Sequence, residues 1–389
     1  MTPVMIGGFP TIRGYAQMTT EAIFVCTNNT GNLAFRYAVY KHLGGDVKVL
    51  PWGAQPQTVA EAGGLAVFPC ANQLGPHADC TGRAKLTSGL QIPVLAIGLG
   101  AQSASRDEFP EIPEPTRRWI EAIAERRPGK APNITVRGEF TRRVLERMGV
   151  RDGVEVLGCP SLFINDDPHL GQAIGKRLGR PIRRIGVAAG KPTNPAQGSV
   201  EKRLLGAALS SGGSYIVQHP LPFIKAARGE FDQLNEAWQK RILDFVGRHS
   251  GSRTDDSLPS NMTVFFDVDA WMEHLRRHDI VVGTRIHGTM LAIQAGVPAL
   301  CLTHDSRTEE LCQTMGLPHL PLDMLPQGSL DADGLLRRLR FDPDQFDVLR
   351  RQLASRYREV LIGSGLRAPM GLTRIAGVRG GRPGVAGPR

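Results

Sequence analysis

The chain has no run of about 18 apolar residues, the length a membrane-spanning helix needs. Its first stretch, MTPVMIGGFPTIRGYAQM, lacks a basic segment followed by an apolar core of about 7 to 15 residues, the pattern of a secretory leader. The expected compartment is therefore the cytoplasm. No C-x-x-C pair occurs among the six cysteines, Cys26, Cys70, Cys80, Cys159, Cys301 and Cys312, and several of them lie in apolar runs. That distribution predicts buried free thiols in a reducing compartment rather than a disulfide framework. Walker A, G-x-S-x-G and zinc-type His/Cys spacings are also missing, and GLGAQS at 98–103 falls short of a dinucleotide fingerprint. Aromatic residues make up only 6% of the chain and nowhere interleave with basic ones, so no nucleic-acid partner is expected.

With 389 residues the chain exceeds the roughly 250 to 300 at which one hydrophobic core stops growing, and two domains are expected. The hydrophobic and charged fractions, 41% and 22%, are those of an ordinary globular protein. Half of the net charge of +10 is confined to the last 24 residues, which contain five arginines and no acidic residue. Because 366–389 is also rich in Gly and Pro, it reads as a disordered basic tail, with a weak contact to the inner membrane surface as the other reading.

Short apolar runs alternate with amphipathic stretches along most of the length. In the first half the expected strands are AIFVC (22–26), VKVL (47–50), LAVF (65–68), VLAIG (94–98), ITVR (134–137) and VEVL (154–157). Between them NLAFRYAVYKHL and EFTRRVLERMG carry apolar residues at helical spacing. After the polar stretch NDDPHLGQAIGKRLGRP the pattern restarts with RIGVAAG (184–190), SYIVQ (214–218), TVFF (263–266), DIVV (279–282) and ALCL (299–302). Runs of this kind suit parallel strands buried on both faces, and the alternation implies βαβ units. The expected fold class is α/β, two Rossmann-like domains facing a central cleft. They span 1–165 and 183–365, joined by a linker at 166–182. Segments 219–231 and 249–260 read as loops, and the late helix DQFDVLRRQLASRYREVLI follows the second half or packs back on the first.

In such sheets ligands bind beyond the carboxyl ends of strands. There, Arg285 and His287 stand two residues apart inside the otherwise apolar VVGTRIHGTMLAIQAGVPALCL, after a strand and at a helix start. A helix start offers free N–H groups and a positive dipole end, and an arginine adds a donor fork suited to phosphate or carboxylate, which together describe an anion site. Other strand ends supply Arg137, with Glu139 as a structural partner, Lys191 and His219, and TNNTGN offers turn-forming residues and Gly31. Asp166 and Asp167 sit in the linker and read as structural.

VVGTRIHGTMLAIQAGVPALCLTHDSRTEEL resembles the polysaccharide pyruvyl transferase family in its Arg-x-His helix start, small-residue helix, Gly-Val-Pro and the following Asp-x-Lys segment. ITVRGEFTRRVLERMGV with VEVLGCPSLFI is similar to that family's first-half end, and GNLAFRYAVYKHL and PVLAIGLGAQ to its earlier elements. Two departures stand out: the Asp-x-Lys segment reads Asp305-Ser306-Arg307, and the acid that follows the family's Val-Arg pair is displaced by Gly138 to Glu139.

The resemblance implies a GT-B-like fold and transfer of pyruvate from phosphoenolpyruvate to two hydroxyls of a saccharide acceptor, free or lipid-linked, as a ketal. It implies no cofactor and no metal beyond that donor substrate. Phosphoenolpyruvate needs at least two cationic or N–H sites, for which Arg137, Arg285, the helix start at Gly288, Lys191 and Arg307 are the candidates. His287 is the candidate acid, with His219 the second choice for acid or base work. Two other readings stand beside it: a nucleotide-sugar glycosyltransferase, with Glu309 or Glu310 for the ribose, and a non-catalytic sugar-binding relative.

Overall fold

The computed structural model describes residues 1–103, 108–247, 260–325, 327–328 and 330–377. Its strands are β1 (Pro3–Ile6), β2 (Lys48–Leu50), β3 (Leu65–Pro69), β4 (Val94–Leu99), β5 (Ile134–Val136) and β6 (Val154–Val156) in the first half. The second half contributes β7 (Ile185–Ala188), β8 (Ser214–Val217), β9 (Met262–Val264), β10 (Ile280–Gly283), β11 (Ala299–Thr303) and β12 (His319–Pro321). Each half forms one six-stranded sheet, in the orders β2-β1-β3-β4-β5-β6 and β12-β11-β10-β7-β8-β9. Every pairing is parallel. The two-domain Rossmann-like α/β reading is thus the fold of the protein. Central strands such as β3, β4, β7, β10 and β11 are buried along their whole length, because helices cover both faces.

The strand expected at 22–26 is instead the helix Thr20–Cys26. Thr19 caps it, accepting a hydrogen bond from the Ala22 N–H, while Ile23 is buried and Val25 is 88% exposed. A strand covered on both faces would not leave Val25 in solvent. The first strand of the sheet is PVMI at β1, too short a run to stand out, and β12 escaped for the same reason. Segment 219–231, read as a loop, contains the helix Leu221–Ala227, whose Phe223 and Ile224 are buried. Of the loop expected at 249–260, residues 249–259 lie outside the described residues.

The division at 365 is corrected by the last two helices. Pro343–Gly363 packs against the linker helix Leu170–Leu178. From it the buried Arg350 donates to the carbonyls of Leu162, Asn165 and Asp167. The helix therefore closes back on the first domain. Beyond it, Met370–Ile375 forms a helix inside the segment expected to be a disordered tail. Leu372 and Ile375 are each 1% exposed, and Arg374 Nη1 pairs with Asp166 Oδ2 at 2.7 Å. Two large apolar side chains in a Gly-rich segment were enough to dock it. Residues 378–389 lie outside the described residues.

This docking makes a chain ending at Gly377 the reference for a truncation test. One ending at Gly365 should unfold measurably earlier, since burying each of Leu372 and Ile375 contributes about 1.5 to 3 kcal/mol. Equal midpoints for the two truncations, read by calorimetry, would show that the helix contributes nothing.

One hydrophobic cluster runs without interruption from Leu33, Phe35 and Phe163 of the first domain to Ile286 and Met290 of the second. Polar contacts reinforce that junction. The buried Glu310 carboxylate accepts from the Thr141 N–H at 2.8 Å and from Thr141 Oγ1 at 2.9 Å, and Ser306 Oγ donates to the Ser103 carbonyl at 2.9 Å. The domains meet along this edge, and a cleft opens beside it. No helix among the described residues is long and apolar enough to cross a membrane.

Candidate functional site

The second sheet has the strand order 3-2-1-4-5-6 when counted from β7, so its direction of winding reverses between β7 and β10. Chains leaving those two strands in opposite directions create a crevice at their carboxyl ends, the usual ligand position in such folds. Gly190 and Lys191 follow β7; Thr284, Arg285 and His287 follow β10. The two strand ends approach so closely that a Cβ on Gly190 would collide with Thr284 Oγ1. Beneath them the fully buried Glu201 accepts from Thr284 Oγ1 at 2.6 Å and from Tyr215 Oη at 2.7 Å, which fixes the residue before Arg285.

The interdomain cleft at this edge encloses about 1910 Å³. Its floor is a smaller recess lined by Asn29, Asn32 and Asn72 with Arg137 from the first domain, and by Gln218, Arg285, His287 and Arg307 from the second. Thus Arg137, Arg285, His287 and Arg307, picked out separately along the sequence, converge on one place. Lys191 and His219 line the wider cleft. Gly288 does not line the recess: the helix Ile286–Gln294 begins two residues earlier, with Arg285 as its cap and Ile286 and His287 facing the recess. Gly288 instead lets the helix lie against β7, since a Cβ there would stand 2.6 Å from Ala188 Cβ and 2.7 Å from Gln218 Nε2.

The recess is rich in buried polar atoms that none of the described residues satisfies. Arg137 Nη1, Gln218 Nε2 and Oε1, Arg285 Nε and Arg307 Nε are buried with no hydrogen-bond partner among the described residues. Leaving such a group unpaired costs about 1 to 3 kcal/mol, so five around one small space is an expense a ligand would offset. Arg137 donates to the carbonyls of Gly98 at 2.9 Å and Cys70 at 3.5 Å and lies over the Phe35 ring, with no carboxylate partner among the described residues. Glu139, expected beside it, pairs with Arg142 at 2.7 Å instead. Among the described residues only Arg307 of the three arginines touches an acid, with Nη2 3.3 Å from Asp305 Oδ2. Because no side chain caps the helix start, its first N–H groups are also left without intrahelical partners.

Burial first, and then this clustered positive charge, sets the titration of the neighbouring groups. Burial, then repulsion by Arg307, lowers Arg285 to about 10. Burial and then Arg137, Arg307 and Arg285 hold His287 well below its ordinary value, so the ring is neutral at pH 7. Burial and then Arg285 and Lys191 lower His219 to about 4. An anion in the recess would reverse these repulsions and raise all three.

Sequence reasoning missed Gln218, although it directly precedes His219 at the end of β8, because an amide is a weak flag beside a histidine. It also missed Glu201, which sits in a helix with nothing local to mark it as buried. Of the carboxylates considered for a ribose, Glu310 is committed to Thr141 across the domain junction, while Glu309 lines the cleft and accepts from Gln313. Asp166 and Asp167 are structural: the first pairs with Arg374 and the second accepts from the His169 N–H.

A family model described as polysaccharide pyruvyl transferase matches residues 29–306, from the Asn29 that opens the recess to the Ser306 beyond it. The chain belongs to that family. No curated protein matches it significantly. Among solved structures it is similar to UDP-GlcNAc 2-epimerase from Methanocaldococcus jannaschii, at 12% identity and TM-score 0.43 over 91% of this chain and 98% of that one. UDP-GlcNAc 2-epimerase from Neisseria meningitidis bound to UDP-GlcNAc gives 10% identity and TM-score 0.42 over 97% and 98%. The glycosyltransferase SnogD from Streptomyces nogalater gives 12% and 0.33 over 97% and 100%.

Histidines lowered by burial link the family fold here to acid. His42, fully buried against Phe163 and Tyr357, is lowered to about 4, as are His219 and His274. A group with a folded value below its unfolded one binds fewer protons when folded, so the stability it supports is present above the unfolded value and lost as pH falls toward the folded one. The denaturation midpoint is therefore expected to drop between pH 6.5 and 4. A midpoint that stays level across that window in a urea titration series would contradict these assignments.

Proposed function

We propose that the protein transfers pyruvate from phosphoenolpyruvate to two hydroxyls of a saccharide, forming a cyclic ketal. One observation carries the reading: three arginines and a neutral histidine surround a recess with buried donors that have no partner among the described residues, in a member of a saccharide-modifying family. A compact ligand with a phosphate at one end and a carboxylate at the other suits arginines that reach it from both domains. Arg285 and Arg307 come from the second domain and Arg137 from the first. The wider cleft above, with Asn28, Asn72, Gln73 and Gln102 along the first domain, offers the amide donors and acceptors that sugar hydroxyls use.

The chemistry then follows from the donor. A proton added at the methylene carbon leaves a cation-like centre at C2, which a first hydroxyl attacks. Loss of phosphate and attack by a second hydroxyl close the ketal. His287 is placed to deliver the proton, and the arginines neutralise the charge on the leaving phosphate. His219, neutral and open to the wider cleft, serves as base toward the acceptor. Incubating the purified protein with phosphoenolpyruvate and a panel of glycosides should release phosphate and add one pyruvyl unit to the accepted sugar by mass. Phosphate release with no acceptor able to take up pyruvate, or no release at all, would reject the reading.

A further inference from the structure

We propose that Cys159 is a positioning residue for His287: its thiol donates to Nε2, so that the ring presents Nδ1–H to the recess and gives up that proton without first becoming an imidazolium. The proposal rests on the pyruvyl-transfer reading for its chemistry and on the geometry for the contact.

Cys159 follows β6 in the first domain and is 1% exposed, with Sγ 3.6 Å from His287 Nε2 across the domain junction. Ser161 Oγ donates to that same sulfur at 3.0 Å, which leaves the thiol hydrogen for Nε2. The loop has little freedom. Its Cys159 N–H points to Met315 Sδ at 3.3 Å, and Gly158 has φ +77° with Met315 packed where a side chain would lie. Phe35 packs beside the imidazole at a centroid distance of 5.5 Å, further fixing the ring. Nδ1 has no hydrogen bond among the described residues, and His287 lines the recess.

The arrangement resolves a difficulty. Burial and three arginines keep His287 neutral at physiological pH, which would make it a poor acid if it had to ionise first. A neutral ring can still act if one proton arrives as another leaves. The Nδ1–H bond breaks as a C–H bond forms at the methylene carbon, using the electron pair of the C=C bond. The Cys159 proton moves to Nε2, and its electron pair stays on sulfur, where Ser161 and the nearby Arg137 charge face it. When the first acceptor hydroxyl forms its bond to C2, His219 takes the proton it loses and later gives it to solvent, and a proton from solvent restores the relay. The second hydroxyl's proton departs with the phosphate as the C2–O bond breaks.

The test begins with the unliganded protein, where ¹⁵N NMR of labelled histidine, with His287→Asn for assignment, reports which ring nitrogen carries hydrogen. The expected result is Nδ1–H in the wild type and Nε2–H in Cys159→Ala. Turnover in Cys159→Ala should fall by roughly 10- to 100-fold, less than loss of the acid itself, with phosphoenolpyruvate protection against heat unchanged. Cys159→Ser, which keeps a shorter donor, should recover part of the turnover and the wild-type tautomer. A wild-type ring protonated at Nε2, or a Cys159→Ala variant with unchanged tautomer and turnover, overturns the proposal. If the wild type releases no phosphate from phosphoenolpyruvate, pyruvyl transfer fails as the function, and the tautomer alone decides whether Cys159 positions the ring.

Discussion

Replacing Arg285 by Ala is expected to abolish the heat protection that millimolar phosphoenolpyruvate gives the wild type. A ligand that binds only the folded state stabilises it by RT ln(1 + [L]/Kd), so protection is a direct reading of affinity. The Arg285 side chain has no hydrogen bond or ion pair among the described residues, its Nε is buried, and the residue caps the helix whose Ile286 and His287 line the recess. Its binding capacity is therefore uncommitted until a ligand arrives. Truncating one member of a buried charge contact typically costs roughly 2 to 5 kcal/mol, which is a loss of about 30- to 4,000-fold in affinity. Lysine at this position should restore only part, because an ammonium lacks the planar fork. Protection that survives in Arg285→Ala would place the donor elsewhere, and strong protection by uridine or guanosine diphosphate in its stead would point to a nucleotide donor.

His287→Ala is expected to lower turnover by roughly 10² to 10⁴ while phosphoenolpyruvate still protects the protein. The separation arises because the ring is neutral and contributes little to holding an anion, whereas the arginines that hold it remain. Removing a cation beside three arginines could even tighten binding, but a neutral ring offers no such charge to remove. Since the side chain fills space between Phe35 and Cys159, His287→Asn is the control that separates lost chemistry from a disturbed junction. Near-normal turnover in both variants would take His287 out of the mechanism.

The strand pattern was legible because fully buried parallel strands are written as uninterrupted apolar runs, and those of three to six residues bounded by Gly or Pro came out in place. At β1, a run that Pro3 opens, and at Thr20–Cys26, a helix with a strand's composition, periodicity had too few residues to decide. Arg285 and His287 were legible from a single incongruity, two polar donors in an apolar segment. Arg137 was visible only as a strand end, and what made it part of the site, its approach to Arg285 and Arg307 from the opposite domain, is information about the third dimension. Cys159 and Gln218 carried no local mark, because a thiol in an apolar run and an amide at a strand end usually mean nothing.

Gly138 and Glu310 make the support of the site a property of both domains at once. The family resemblance leads one to expect an acid straight after Val136-Arg137, yet the residue there is glycine, and the side chain of Glu310 occupies the space its Cβ would need. A carboxylate is thus lent to Thr141 from the far domain rather than supplied by the neighbouring backbone. The two positions are coupled by packing: an acid placed at 138 would meet Glu310 with like charge and no room, and a small residue at 310 would take from the Thr141 N–H the carboxylate it donates to.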